Sequence, residues 1–151
     1  MSEPAITVVG EADLDTLLPL MRGYCDFYNV SPSDEDLLAL SRALIAGPER
    51  EGIQLLARDA EGDGLGFATV YWTWQTLSAA RLAVMNDLFV AEAGRGTGLA
   101  DRLIAACHEH AAAHGATDLA WQTAKDNHRA QKVYDRVGAR RSEWFDYTLP
   151  I

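Results

Sequence analysis

The chain has 151 residues, 48% of them hydrophobic, and its 13 basic and 22 acidic residues give a formal charge of −9. That length and apolar share suit one domain with a substantial core. With no basic cluster beyond Arg140-Arg141, the acidic balance argues against a nucleic-acid partner and favours approach of a cation such as an amine.

Residues 6–9 read as a short strand. Leu14, Leu17, Leu18, Met21, Tyr24, Cys25 and Tyr28 then recur at helical spacing and predict a helix over 13–28. Ser31-Pro32-Ser33-Asp34-Glu35 supplies cap chemistry for a second helix carrying Leu37, Leu40, Leu44 and Ile45, which Gly47-Pro48 stops. A strand over 53–58 leads into a hairpin turn at Glu61-Gly62-Asp63-Gly64. Two long β-prone runs follow, 65–75 and 81–90. A third helix runs from a glycine-rich loop to His114 with Leu99, Leu103, Ile104 and Cys107 inward. A strand over 118–123, a helix over 127–137 closed by Gly138, and a final strand over 143–149 complete the order β-α-α-β-β-β-α-β-α-β, a mixed α/β domain spanning residues 1–151. Cys25 and Cys107 both fall in helical apolar patterns, which predicts buried thiols rather than a disulfide. Met1-Ser2-Glu3-Pro4 lacks the basic and apolar regions of a signal peptide, and no apolar stretch reaches membrane-spanning length. A soluble cytoplasmic protein without a membrane partner is expected.

The stretch from Leu88 to Ala100 carries the most chemistry. An apolar strand, Leu88-Phe89-Val90, feeds a turn containing Gly94, Gly96 and Gly98, and the turn opens a helix. Several backbone N–H groups then converge at the positive end of a helix, which is a site for a phosphate or diphosphate. No Lys follows these glycines, which excludes a Walker loop. The dinucleotide fingerprint needs a small residue where this chain has Leu99 in one frame and Asp101 in the other, which excludes that loop as well.

Arg95-x-x-Gly98-x-Ala100, together with Asn127-x-x-Ala130-x-x-x-Tyr134-x-x-x-Gly138-Ala139, resembles the two signature blocks of the GNAT superfamily of N-acetyltransferases. The resemblance implies a splayed, mostly antiparallel central sheet flanked by helices, with acetyl-CoA as acyl donor. It assigns Arg95, Gly96, Thr97, Gly98, Leu99 and Ala100 to the donor's diphosphate. It assigns Leu88, Phe89 and Val90 to the pantetheine arm, with an N–H near Val90 polarising the thioester carbonyl, and it gives Asn127 a contact to the same arm. It implies that Tyr134 is the general acid for the departing thiolate, a role open to a phenol with pKa near ~10. A homodimer is implied too, through the final strand and the hairpin aromatics. On residues alone, Tyr134 also fits a core aromatic on the helical face of Ala130, Val133 and Val137, and Asn127 also fits a simple helix cap.

Asn86-Asp87, just before the cofactor strand, resembles the Glu-Asp of the diamine (spermidine/spermine-type) and thialysine acetyltransferases, with Asn in place of Glu. An amide accepts a proton poorly, and strand alternation sets Asp87 opposite Asn86, so abstraction by Asp87 and by a water both stand. Tyr24, Asp26 and Tyr28 at the end of the first helix, with Trp72 and Trp74 on one strand face, suit an ammonium ion by cation–π contact. The tryptophans equally fit core or dimer interface. His108, His110 and His114 lack a carboxylate or outward cysteine to complete a metal set, so no metal is expected. Neither cysteine is placed to relay an acyl group, which favours direct transfer to a primary amine of a small molecule, such as a polyamine or amino acid. A protein N-terminus or lysine as acceptor, and a non-catalytic acyl-CoA sensor, are the alternatives.

Overall fold

The computed structural model describes residues 2–151. Five strands, β1 (Ala5–Val8), β2 (Gly52–Arg58), β3 (Gly64–Gln75), β4 (Ala80–Val90) and β5 (Ala116–Ala120), form one sheet in chain order. Neighbours are antiparallel except β4 and β5, which run parallel. Helices α1 (Leu14–Phe27) and α2 (Asp34–Ala46) are joined to β1 and β2 at one end, and α3 (Leu99–Ala113) and α4 (His128–Arg136) flank β5 in sequence. The mixed α/β architecture expected from the periodicities is the one observed.

The sheet separates two cores. Leu17, Leu20, Met21 and Cys25 of α1 and Leu37 of α2 pack on Leu56 and Phe67. On the other face Leu99, Leu103, Ile104, Cys107 and Ala111 of α3 pack on Leu55, Ala68, Val70, Ala83 and Met85. Leu55 and Leu56 point to opposite faces and both are fully buried, so β2 reads as an unbroken apolar run rather than an alternating one. Both cysteines are free and buried, and burial pushes the Cys107 thiol up to about 12. Gly52 is sterically obligatory. Its φ is +148°, and a Cβ there would lie 2.1 Å from the Val70 carbonyl oxygen.

Helix entry uses the chemistry foreseen for α2, where Ser33 Oγ accepts the Asp36 N–H at 3.1 Å. The short 3₁₀ turn Glu11–Asp13 before α1 is fastened differently. Asp13 accepts from the Gly10 N–H at 2.8 Å and from Arg58 Nη2 at 2.7 Å, and these donors hold its carboxyl below the usual range. Asp13→Ala therefore strips the half-buried Arg58 of its partner and costs about 1–3 kcal/mol of stability. The sign follows from the depressed value. The contribution is present above the unfolded carboxyl's 3.8 and is lost as pH falls through the native value. Urea denaturation at pH 7 should separate wild type from variant, and at pH 3 the gap should narrow.

The final strand expected over 143–149 is absent; residues 139–151 form neither helix nor strand. The alternation Phe145, Tyr147, Leu149 is a strand pattern, but a strand needs a paired edge. This segment instead runs past the end of β5, with Gln122 donating to Asp146 at 2.7 Å and Lys125 lying 5.4 Å from the Phe145 ring. The strand expected over 118–123 is also displaced, to 116–120.

Candidate active site

The parallel pair sets the geometry. β4 and β5 are in register only from Arg81↔Ala116 to Val84↔Ala120, while β4 continues to Val90. Beyond Val84 the edge of β4 away from β3 has no strand beside it among the described residues, so the sheet is open between β4 and the end of β5. The Ala91 N–H bonds the Leu65 carbonyl, so alternation turns the backbone groups of Phe89 toward β3 and those of Leu88 and Val90 toward the open edge.

At the end of β4 a 3₁₀ turn, Glu92–Gly94, leads to Arg95, Gly96 and Thr97, and Gly98 caps α3. Gly96 and Gly98 have φ of +74° and +79°, and a Cβ at either would meet no protein atom within 4 Å. The backbone there favours glycine, and the space above it is open for close approach to the amides. No side chain caps α3, so the first-turn N–H groups of Leu99 and Ala100 face outward uncapped. Leu99 is 2% exposed and anchors the turn in the core. Arg95 Nε donates to the Val90 carbonyl at 3.2 Å, which leaves the rest of the guanidinium available. Thr97 departs from its expected role as a donor to the ligand: its hydroxyl donates to the Gly94 carbonyl at 2.6 Å and so pins the loop. Loop, dipole and arginine together suit a diphosphate.

Asp101, in the first turn of α3, would set a negative charge beside that site. Arg136 at the end of α4 neutralises it with paired hydrogen bonds of 2.9 and 2.6 Å, and the pair holds the Asp101 carboxyl low. The same contact ties α4 to the loop. Sequence alternation offers no signal for it, since the partners are far apart in the chain.

A β-bulge decides where Asp87 points. Thr69 pairs with Asp87 and Val70 with Met85, so Asn86 is the extra residue. Met85, Leu88 and Val90 pack toward α3, whereas Phe89 packs toward α1. Asp87 shares the parity of Phe89 and is therefore turned to the α1 face. Tyr24 of α1 donates to the Asn86 carbonyl at 3.3 Å, and Asn86 Nδ2 donates to Asp87 Oδ1 at 3.0 Å. Gly23 permits this approach, because a Cβ there would lie 2.8 Å from the Phe89 ring. Tyr28 stands edge-on to Tyr24 with centroids 5.1 Å apart. Burial, then the Asp87 charge, pushes the Tyr24 phenol far above its ordinary value; the same two causes raise Tyr71. Tyr71 is a site residue that sequence reading missed. Its one signal is position: it precedes Trp72 and so faces the other side of β3.

Tyr134 is half-buried on α4, with the Trp121 ring edge-on at 5.2 Å. Burial raises its phenol, Tyr28 adds to the rise, and the Thr123 side chain opposes it. Asn127 Oδ1 accepts the Ala130 N–H at 3.2 Å and caps α4 as expected. The structure thus gathers Tyr24, Tyr28, Tyr71, Asp87 and Tyr134 around the opening of the sheet.

Three expected substrate residues are not brought in. Asp26 is exposed, two positions past Tyr24 and so nearly opposite it around α1. Trp72 packs on the α3 face, stacked on His114 at 4.2 Å, with Nε1 donating to the Pro48 carbonyl at 2.8 Å. Trp74 has the same parity, is 68% exposed and lies under Arg81 at 4.8 Å. The two tryptophans do share a face, but it is the face opposite Tyr24 and Asp87. Among the described residues no group of three or more His, Cys, Asp or Glu is placed to hold a metal, and no helix is long and apolar enough to cross a membrane.

A sheet opened between two parallel strands, with a glycine loop and an uncapped helix start beyond Val90 and a cluster of phenols by Asp87, is an arrangement that suits a long phosphorylated ligand. The profile of the Acetyltransferase (GNAT) family matches residues 18–139, and the chain belongs to that family. It is an acetyltransferase, and members of this family use acetyl-CoA. An N-acetyltransferase of Bacillus subtilis is 30% identical over 134 residues, which cover 89% of this chain and 88% of that one. A D-amino-acid N-acetyltransferase of Saccharomyces cerevisiae is 36% identical over 83 residues, 54% of this chain and 52% of that one. A crystal structure of a probable acetyltransferase superposes with a TM-score of 0.85 at 32% identity, covering 97% of each chain. An aminoglycoside N-acetyltransferase in complex with CoA shares the fold at a TM-score of 0.87 and 20% identity, covering 99% of this chain and 96% of that one.

Proposed function

We propose that this chain transfers the acetyl group of acetyl-CoA directly to a primary amine of a small molecule. The observation that carries this reading is the bulge at Asn86, which turns Asp87 among Tyr24 and Tyr71 at the opening of the sheet. Acetyl-CoA supplies an electrophilic acyl carbon on a thiolate leaving group. Arg95 and the amides from Gly96 to Ala100 hold its diphosphate, and the open edge of β4 at Leu88 and Val90, with the Phe89 ring beside it and Asn127 at the start of α4, holds its arm. Asp87 attracts the ammonium form of the acceptor and takes up the proton lost before attack, directly or through water. Tyr24 and Tyr71, raised above ordinary phenols, stay neutral and serve as walls and donors rather than bases. Tyr134 donates its phenolic proton to the departing sulfur as the acyl carbon–sulfur bond breaks, and the second proton lost by the amine nitrogen on forming the amide restores the phenol, directly or through water.

The cluster holds one carboxylate and four phenols and no Lys or Arg. This favours an acceptor that presents a second cationic or neutral group, such as a polyamine or a lysine-type side chain, as in the diamine and thialysine branch. An amino acid is the second reading, motivated by the D-amino-acid relative; its carboxylate requires a cation from outside the cluster. Thiol release measured across polyamines, L- and D-amino acids, and peptides tests both. Release with peptides alone overturns the small-molecule reading, and binding of acetyl-CoA without release for any acceptor makes the domain a sensor.

The Asp101–Arg136 pair gives a separate expectation. Arg136→Ala uncovers the Asp101 carboxylate beside the diphosphate and should raise KM for acetyl-CoA about two- to fivefold. The double variant with Asp101→Ala should regain most of that loss, measured by steady-state kinetics at low salt.

A further inference from the structure

Residues 125–141 carry six of the chain's 13 Lys and Arg residues and only two of its 22 acidic ones. They form no contiguous basic run beyond Arg140-Arg141, but the helix gathers them. At 3.6 residues per turn Arg129 and Arg136 lie within about 20° of each other around α4, and Lys132 stands about 40–60° away. All three are exposed. On the adjoining face Val133 and Tyr134 are partly buried and pack on the α3-side core. Arg136 fixes where the basic flank points: its hydrogen bonds of 2.9 and 2.6 Å to Asp101 turn it to the first turn of α3. The flank therefore borders the loop at Gly96 and Gly98.

Six arginines of this acidic chain sit within 4.0 Å of a carboxylate, Arg136 among them. Among the described residues Arg129 and Lys132 have no such partner, and their side chains make no hydrogen bond. Two neighbouring cations are thus left for an anion that the protein does not itself supply.

We propose that Arg129 and Lys132 recognise the 3′-phosphate of CoA and so distinguish CoA from its 3′-dephospho form. This assignment, which rests on the loop from Arg95 to Ala100 holding the diphosphate, follows from the ligand's connectivity. One ribose separates the 3′-phosphate from the diphosphate, so cations for it must stand beside that loop, as the α4 flank does. A phosphate monoester carries about −1.5 to −2 at pH 7, and it is the most highly charged group of the ligand. The loop has little left to offer it. Arg95 and the helix start meet the diphosphate, the Thr97 hydroxyl is turned to the Gly94 carbonyl, and Arg136 is held by Asp101. The flank is also short. Arg129 to Arg136 spans about 10 Å along the axis, which suits one phosphate, whereas a nucleic-acid backbone is held by a track of about 6–10 contacts.

Calorimetric titration with CoA and with 3′-dephospho-CoA, without any acceptor, tests the assignment. Wild type should bind CoA about 3–30-fold more tightly than the dephospho form, the range for two exposed charge pairs. Raised salt should shrink that ratio. Arg129→Gln combined with Lys132→Gln should bring it close to one by weakening CoA alone, with the dephospho form at its wild-type affinity. Arg129→Lys with Lys132→Arg should keep most of it. Arg50→Gln removes an exposed charge before the start of β2, at the opposite end of the sheet from Val90, and should leave the ratio unchanged. A wild-type ratio of one, or a ratio that survives in the double-glutamine protein, overturns the proposal while the diphosphate site still stands. An equal loss in Arg50→Gln overturns it too, because a general field and not a site would then be acting. Failure of wild type to bind either ligand removes the diphosphate site and this assignment together.

Discussion

Tyr134→Phe is expected to bind acetyl-CoA with wild-type affinity and to lose about 10²–10⁴-fold in kcat, the range for a removed general acid. The substitution deletes one oxygen and leaves the ring on Trp121, whose centroid lies 5.2 Å away, so packing of α4 changes little. The diphosphate site at Arg95, Gly96 and Gly98 is on the loop between β4 and α3 and is not touched. Loss in kcat without loss of affinity is the signature of a group that acts only as the sulfur departs. The pH profile sharpens the test. Burial raises the Tyr134 phenol, so the acid stays protonated throughout the neutral range, and wild-type activity should rise with pH as the acceptor amine deprotonates. The variant should keep that rising limb at a lower level. Replacing the acyl donor with one whose thiol leaves without a proton should narrow the gap between the two proteins. An unchanged kcat would remove Tyr134 from the reaction and leave it an aromatic that packs α4.

Most of the fold was legible because its elements declare themselves locally. Leu14 to Tyr28 repeats at helical spacing, Ser33 caps α2, and Gly96 and Gly98 mark a left-handed backbone that favours glycine. The features that were not legible are those that depend on a partner across space. A one-residue insertion at Asn86 is invisible to a period-two count, so alternation alone could not say that Asp87 and Phe89 share the α1 face. Parity correctly put Trp72 and Trp74 together, yet a sheet buried on both faces gives no local sign of which face is which. The alternation of Phe145, Tyr147 and Leu149 is a strand pattern, but a strand also needs a paired edge, which sequence period does not report, and none forms here. Asp101 and Arg136, 35 positions apart, carry no mutual signal at all.

Asp87→Asn tests the other half of the site, and here the expected split falls on the acceptor. A carboxylate that holds an ammonium contributes about 1.5–3 kcal/mol through its charged hydrogen bond, equivalent to a rise of about 10–100-fold in KM for a cationic amine. KM for acetyl-CoA should not move, because the diphosphate loop lies beyond Val90 and the Asp87 side chain is turned away from it to the α1 face. The amide keeps the shape of the side chain and its hydrogen bond from Asn86, now at 3.0 Å, so stability should hold. Two readouts separate an electrostatic role from a structural one. High salt should weaken the wild type toward the variant, since screening acts on the charge alone. The phenols report independently: the Asp87 charge helps to raise both Tyr24 and Tyr71, so its removal makes their phenolates easier to form. Ultraviolet titration of the variant should therefore show tyrosine ionisation beginning at lower pH than in wild type. If KM for the amine and the titration are both unchanged, Asp87 neither holds the acceptor nor faces the tyrosines, and a bulge at Asn86 would have no catalytic consequence.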